Sequence, residues 1–257
     1  MEKMLIESLE IKAGQVISLV GGGGKTTTMF RLARELVNLN HVNIITTTTT
    51  RILEPSSQES DQLLLADNLD DLLSNLDFTK QQVVTLAKQI QDQNKLVGIP
   101  KQWVNELKKE LNSQGLNIIV EADGAACKDF KFPNAKEPVL PSSTDLLLPI
   151  VGNRIANCQL TAKNLHRAPL LVDNSEFVTG QPITPQLVVD ILLSKSGYDL
   201  LSQQQQRRVI PILNQVDVES SYTWAKEVAL KLVEAGIKKV LLTSMQSQNL
   251  VREVVER

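Results

Sequence analysis

Cysteine, histidine and any surplus of one charge are all scarce in this 257-residue chain. Its two cysteines, Cys127 and Cys158, lie far apart and in no metal-like spacing, which argues against a disulfide scaffold and fits a reducing cytosol. Lysine and arginine number 27 against 29 aspartates and glutamates, and no basic run stands out. That balance lacks the electrostatic footprint of a non-specific nucleic-acid binder. No apolar run approaches the ~20 residues needed to span a bilayer. The first eleven residues place Glu2, Lys3, Glu7 and Glu10 among their apolar neighbours, unlike a signal peptide. The expectation is a soluble, cytoplasmic protein without a nucleic-acid or membrane partner.

What is present is an ordinary globular composition, 42% hydrophobic and 22% charged, in a chain long enough to bury a sizeable core. Short apolar runs alternate with longer amphipathic ones, the pattern of βαβ units around a mostly parallel sheet. Strands are expected at residues 15–20, 42–45, 117–120, 146–150, 209–213 and 240–242. Helices are expected at 29–37, 63–76, 101–111, 184–193, 222–235 and 247–255, with Asp67 or Asp70 serving the second as cap or first-turn acid and Gly236 closing the fifth. Residues 82–98 read as a hairpin on the sheet edge, residues 130–141 as an ordered loop and residues 202–206 as a helix end or loop. No internal repeat is visible, and a single domain over 1–257 is the simplest organisation.

The segment Val20-Gly21-Gly22-Gly23-Gly24-Lys25-Thr26-Thr27 lies between a buried strand and an amphipathic helix. That context marks a P-loop. Glycines allow successive N–H groups to turn inward around phosphate oxygens, and the helix N-terminus adds partial positive charge there. Lys25 is expected on the β- and γ-phosphates and the Thr26 hydroxyl on Mg²⁺. Leu19 stands where the strict pattern has a glycine, so the loop is a variant, comparable to the short loops of Mur-type ligases. These features imply an α/β, P-loop NTPase-type three-layer sandwich, its sheet flanked by helices.

Ile118-Ile-Val-Glu-Ala-Asp-Gly124 reads as an apolar strand delivering Glu121 and Asp123 to the same rim of the sheet. Residues two apart face one side, so both carboxylates can approach one Mg²⁺, and either is a candidate metal ligand or catalytic group beside Lys25. Asn214-Gln-Val-Asp217 resembles the Asn-Lys-x-Asp motif that reads guanine, with Gln215 in place of the lysine. An ionised aspartate only accepts hydrogen bonds, which suits guanine's adjacent N–H groups. Thr243 and Ser244 follow the next strand, where GTP-binding proteins place a small-residue loop against the base.

The run at residues 46–50 falls at a strand end; the hydroxyls of Thr47, Thr48 and Thr49 are candidates for substrate or Mg²⁺ contact, while part of the run is open to a plain strand reading. His41 reads as structural and Cys127 as a buried, inert thiol.

Taken together, these motifs resemble the selenium-dependent hydroxylase accessory proteins, the YqeC-like family. The resemblance runs from about Gly14 to Ser244. It rests on the glycine loop, the threonine run, Glu121-Ala-Asp-Gly-Ala125, Asn214-Gln-Val-Asp217, His166-Arg167, and Lys131-x-Pro133-x-x-x-Glu137-Pro138-x-x-Pro141. It implies a role near the maturation of molybdenum- and selenium-dependent hydroxylases, with such an enzyme or its maturation proteins as partner. It also implies that Lys131, Glu137, His166 and Arg167 line a second, substrate or switch site within residues 125–170.

The leading expectation is Mg²⁺-dependent binding and hydrolysis of GTP or ATP. Turnover is expected to be slow without a partner, because no arginine finger can be assigned; Arg51 and Arg167 are the nearest candidates. An ATP-dependent ligase or small-molecule kinase, and a nucleotide-gated binding module without turnover, remain open. The oligomeric state is not legible.

Overall fold

A computed structural model describes residues 4–40, 42–78 and 82–257, so His41 lies outside the described residues. Ten strands form one sheet, in the spatial order Val251–Glu256, Lys239–Thr243, Ile212–Asn214, Leu146–Gly152, Val16–Gly21, Asn117–Glu121, Ile44–Thr48, Val83–Ala87 and Gln62–Leu65. The short strand Arg208–Val209 also pairs with Leu146–Gly152. Every pairing is parallel except that of the outermost strand, Val251–Glu256. The architecture is the α/β sandwich the sequence implies, with a mostly parallel sheet between helices.

Strand periodicity sorts the core into two halves. Val16, Val20, Ile45, Val84, Ile118, Val120 and Leu147 join one buried cluster, while Ile17, Leu19, Ile44, Val83, Ile119, Leu146 and Leu148 join the other. The helix Lys25–Asn40 supplies Met29, Leu32, Ala33 and Leu36 to the second cluster. Helices Lys101–Leu111, Pro185–Leu193 and Glu219–Glu234 cover the first. A sheet buried on both faces requires interior strands that are mainly apolar on both, as these are.

Four elements differ from the sequence expectation. Residues 63–76 are not one helix: Gln62–Leu65 pairs parallel with Val83–Ala87, and only Leu69–Ser74 is helical. Asn68 caps that helix by accepting from the Asp71 N–H, which leaves Asp70 as a first-turn acid. Within residues 82–98, Val83–Ala87 is an interior parallel strand, and the hairpin is confined to Gln89–Gln91 and Lys95–Val97, in a separate small sheet with Arg51–Leu53. The strand at 209–213 is interrupted at Pro211, which has no N–H to give the ladder.

The expected helix at 247–255 is instead the antiparallel strand Val251–Glu256. Its valines suit a pleated surface, and Val251 and Val255 are buried against the sheet, so packing on Lys239–Thr243 overrides the helical spacing. Residues 202–206 end the helix Leu200–Gln206, and the loop at 130–141 begins with a two-residue strand, Phe130–Lys131, paired with Leu165–His166.

A carboxylate at Val255 would sit opposite Val240 without a partner. Val255→Asp is therefore expected to lower stability by roughly 2–4 kcal/mol, read as a fall in chemical-denaturation midpoint. A change within experimental error would contradict a buried strand here.

Candidate functional site: a glycine loop over two buried carboxylates

The strand Val16–Gly21 ends at the C-terminal rim of the sheet, and the helix Lys25–Asn40 starts four residues later. Gly21, Gly23 and Gly24 have φ of 94°, 76° and 117°, a region costly for residues with a side chain. Space is as restrictive as torsion, since a Cβ on Gly23 would lie 2.3 Å from the Gly152 Cα. The Gly22 N–H donates to Ile150 O at 2.8 Å and the Gly23 N–H to Lys128 O at 3.1 Å, pinning the loop to its neighbours. Thr28 is the first helical residue to bond back, to Gly24 O. The N–H groups ahead of it are the free donors of a helix N-terminus.

Glu121 closes the adjacent strand Asn117–Glu121, and Asp123 follows two residues later. Both reach Lys25, whose Nζ lies 3.4 Å from Glu121 Oε1 and 3.4 Å from Asp123 Oδ1 and donates to Gly21 O at 2.8 Å. Burial opposes the Lys25 charge, but the two carboxylates outweigh it and raise its pKa above the ordinary lysine value. For Glu121 burial dominates over the Lys25 charge, and its carboxyl is pushed up. The Thr26 Oγ1 donates to Glu121 Oε2 at 2.7 Å.

Asp123 is wholly enclosed. Its oxygens accept from the Gly21 N–H at 3.1 and 3.0 Å and from the Tyr198 hydroxyl at 3.0 Å. Beyond it lies Lys131, also fully buried, with Nζ 3.6 Å from Asp123 Oδ2. Lys131 donates to Gly124 O at 2.6 Å and pairs with Glu137, which Arg167 grips with two guanidinium nitrogens. Burial would raise the Glu137 carboxyl, but these hydrogen bonds from Arg167 and Lys131 outweigh it and lower its pKa. His166 is half-buried beside them; burial, then the Arg167 and Lys131 charges, lower its pKa and favour neutral imidazole. The four residues expected at a second site thus meet in one cluster, joined to the glycine loop through Asp123.

Thr47, Thr48 and Thr49 point their hydroxyl protons into the protein, to Leu86 O, Glu121 O and Val139 O at 2.8, 2.8 and 2.9 Å. Thr47 and Thr48 belong to the strand itself. Arg51 is exposed in the small sheet. Asn214 braces the rim: its Nδ2 donates to Gly23 O at 2.8 Å, and its Oδ1 accepts from Thr243 Oγ1 at 3.2 Å and the Met245 N–H at 3.1 Å. Ser244 donates its hydroxyl proton to Asp217. A cavity of about 100 Å³ beside the loop is lined by Gly24, Thr27, Arg154, Asn214, Gln215 and Asp217, among others.

Three contributors carried no readable motif. Tyr198 holds Asp123 and, buried, has its phenol pushed well above the ordinary tyrosine value. Asp129 accepts from Gln215 Nε2 at 2.7 Å, and Arg154 lines the small cavity. Tyr198 is one of only two tyrosines, the single sequence signal it offered. Cys127, expected buried, is exposed, in a turn where Ala126 and Cys127 both have positive φ. Among the described residues no three His, Cys, Asp or Glu side chains converge as a metal cage, and no helix is long and apolar enough to cross a membrane.

Fold and rim together define an α/β protein with a P-loop-NTPase-like three-layer sandwich and a glycine loop set over paired carboxylates. The chain belongs to the YqeC protein family, whose family model matches residues 17–169. It is 26% identical over 180 residues to the uncharacterized protein YqeC of Escherichia coli (strain K12), covering 70% of this chain and 66% of that protein. The chain therefore spans slightly less than two thirds of the length of that relative.

Because the Glu137 pKa is lower folded than unfolded, its stabilisation is complete above the ordinary glutamate pKa and disappears as the pH falls through the folded value. Glu137→Gln leaves Lys131 buried without its closest anion and is expected to cost roughly 2–4 kcal/mol at neutral pH. The gap in melting temperature from the native chain should narrow below about pH 4, measured by thermal unfolding across pH. A gap independent of pH would exclude the ion pair as its source.

Proposed function

We propose that this protein binds a Mg²⁺-nucleoside triphosphate at the glycine loop, with preference for GTP, and hydrolyses it slowly. The observation that carries the reading is the meeting of Lys25, Thr26 and Glu121 at the mouth of the helix Lys25–Asn40. The free helix-end N–H groups and Lys25 would take the phosphates. Thr26 and Glu121 would hold Mg²⁺. Ligand oxygens at neighbouring octahedral positions around Mg²⁺ are about 2.9 Å apart, close to the 2.7 Å between Thr26 Oγ1 and Glu121 Oε2. One hydroxyl and one carboxylate, completed by phosphates and water, is a usual Mg²⁺ environment, and the ion would supply charge neutralisation at the phosphates. Asp123, sealed from solvent and already bonded to Gly21 and Tyr198, fits a positioning role better than metal ligation.

Guanine preference rests on Asp217, whose carboxylate accepts only and lines the cavity that opens from Gly24 and Thr27. Arg154 in the same wall is a donor suited to guanine O6 and N7 and not to the adenine amino group. The family resemblance extends the reading to an accessory role in the maturation of molybdenum- or selenium-dependent hydroxylases, with one of those enzymes or its maturation proteins as partner. A nucleotide-gated module without turnover is the second reading, favoured by Asp123, which touches both the clamp lysine and Lys131. A ligase or kinase is distinguished by ATP preference and a rate stimulated by an acceptor.

Lys25→Ala is expected to weaken Mg-GTP binding by about 10- to 100-fold, and Asp217→Ala to erase the preference for GTP over ATP while leaving ATP affinity unchanged. Calorimetric titration of both nucleotides measures this. Unaltered triphosphate affinity in Lys25→Ala would end the proposal. Binding without phosphate release, even with the partner enzyme present, would select the gated module.

A further inference from the structure

A cavity whose charged lining is mainly cationic lies at the other end of the sheet, where the parallel strands begin. It measures about 680 Å³ and is walled by Gln15, Asp145, the helix end at Gln204–Arg207, Arg208, Lys238, Lys239 and Arg257. That volume lies in the range of pockets that enclose a nucleotide- or cofactor-sized ligand. None of the groups proposed to bind nucleotide reaches it.

Its charges are unevenly matched. Glu10 serves Arg208 and Lys239, Glu256 lies 3.4 Å from Lys239, and Asp145 is taken by Lys108 and by the Val16 N–H. Arg207, Lys238 and Arg257 have no carboxylate within ion-pair distance among the described residues. Arg207 is the telling member of the three. Its Nη2 meets only the side-chain oxygen of the exposed Gln206, at 3.1 Å, while its Nε and Nη1 are shut away from solvent with no hydrogen-bond partner. Burial lowers the Arg207 pKa and outweighs the opposing charge of Asp145 across the cavity, so the fold holds this cation at a cost. A half-buried guanidinium that lines a roomy cavity while its Nε and Nη1 stay sealed without partners can gain hydrogen bonds by turning toward an anion.

We propose that this cavity binds a small organic anion bearing phosphate or carboxylate groups, with Arg207 turning from Gln206 to grip it bidentately and Lys238 and Arg257 adding charge at the mouth. Phosphates and carboxylates share the recognition, since both match a planar guanidinium fork. The site is independent of the glycine loop.

The test uses the full chain carrying Lys25→Ala, which disables the clamp, titrated calorimetrically with inorganic tripolyphosphate and, separately, with citrate. Saturable one-site binding of either anion is expected, weakened about tenfold or more when Arg207→Gln is added. Which anion binds more tightly identifies the phosphate or carboxylate source. Should Arg207→Gln fail to fold, Lys238→Gln carries the same expectation with a smaller loss. Absence of saturable binding by both anions, or equal affinity with and without the Arg207 change, would overturn the site. Lost stability with unchanged affinity would do the same, and would assign Arg207 to packing beside Gln203, whose Oε1 is also buried without a partner.

Discussion

Asp123 has no access to water, and every group that neutralises it comes from a different part of the chain. Gly21 reaches it from the first strand of the chain, Lys25 from the helix that follows, Lys131 from the loop beyond its own strand, and Tyr198 from the segment before the helix Leu200–Gln206. Burying a lone carboxylate is prohibitively costly, so its presence requires several such partners together. The carboxylate fixes where the glycine loop turns, because it takes the N–H of Gly21. It also fixes where the second cluster sits, because Lys131 lies between it and Glu137.

The sheet makes that convergence possible. Parallel pairing of Val16–Gly21 with Asn117–Glu121 and Leu146–Gly152 brings three strand ends to one rim. The apolar alternation that fills both core clusters holds their register, since a slip of one residue would exchange the two faces. The threonines of the strand Ile44–Thr48 belong to this framework. Thr46 and Thr85 share a hydrogen bond at 2.8 Å, Thr85 bonds Ser60 at 2.7 Å, and Thr48 ties its strand to Glu121 O. Hydroxyls satisfied against one another and against the backbone let polar residues occupy a fully buried strand.

Legibility followed the physics of each feature. The glycine loop and the acidic strand end were readable because they combine a local torsional need with a strand and helix of clear period. Lys131, Glu137, His166 and Arg167 were legible only through family resemblance, since no local rule joins residues thirty apart that meet through a loop. Residues 63–65 and 251–255 carry helical spacing although they form strands, because leucines or valines in short runs satisfy both periods. Only their neighbours, Val83–Ala87 and Lys239–Thr243, decide the matter. Tyr198 and Arg154 were missed for a further reason: their importance lies wholly in what they face.

The charge count of the rim sets a condition on whatever binds there. Lys25, Lys131 and Arg167 stand against Glu121, Asp123 and Glu137, and each cation lies within ion-pair distance of at least one of these carboxylates. A set already neutral offers a polyanion little net attraction, unlike a basic patch waiting to be filled. Under the proposed function, phosphate arriving at the loop would have to draw Lys25 away from Glu121 and Asp123, leaving the first carboxylate in need of another cation. A divalent ion delivered with the phosphates would meet that need at Glu121, whereas Asp123 would keep Lys131, Gly21 and Tyr198. The two carboxylates are chemically alike and adjacent in sequence, yet their surroundings separate them: one can exchange its cation, and the other is built in.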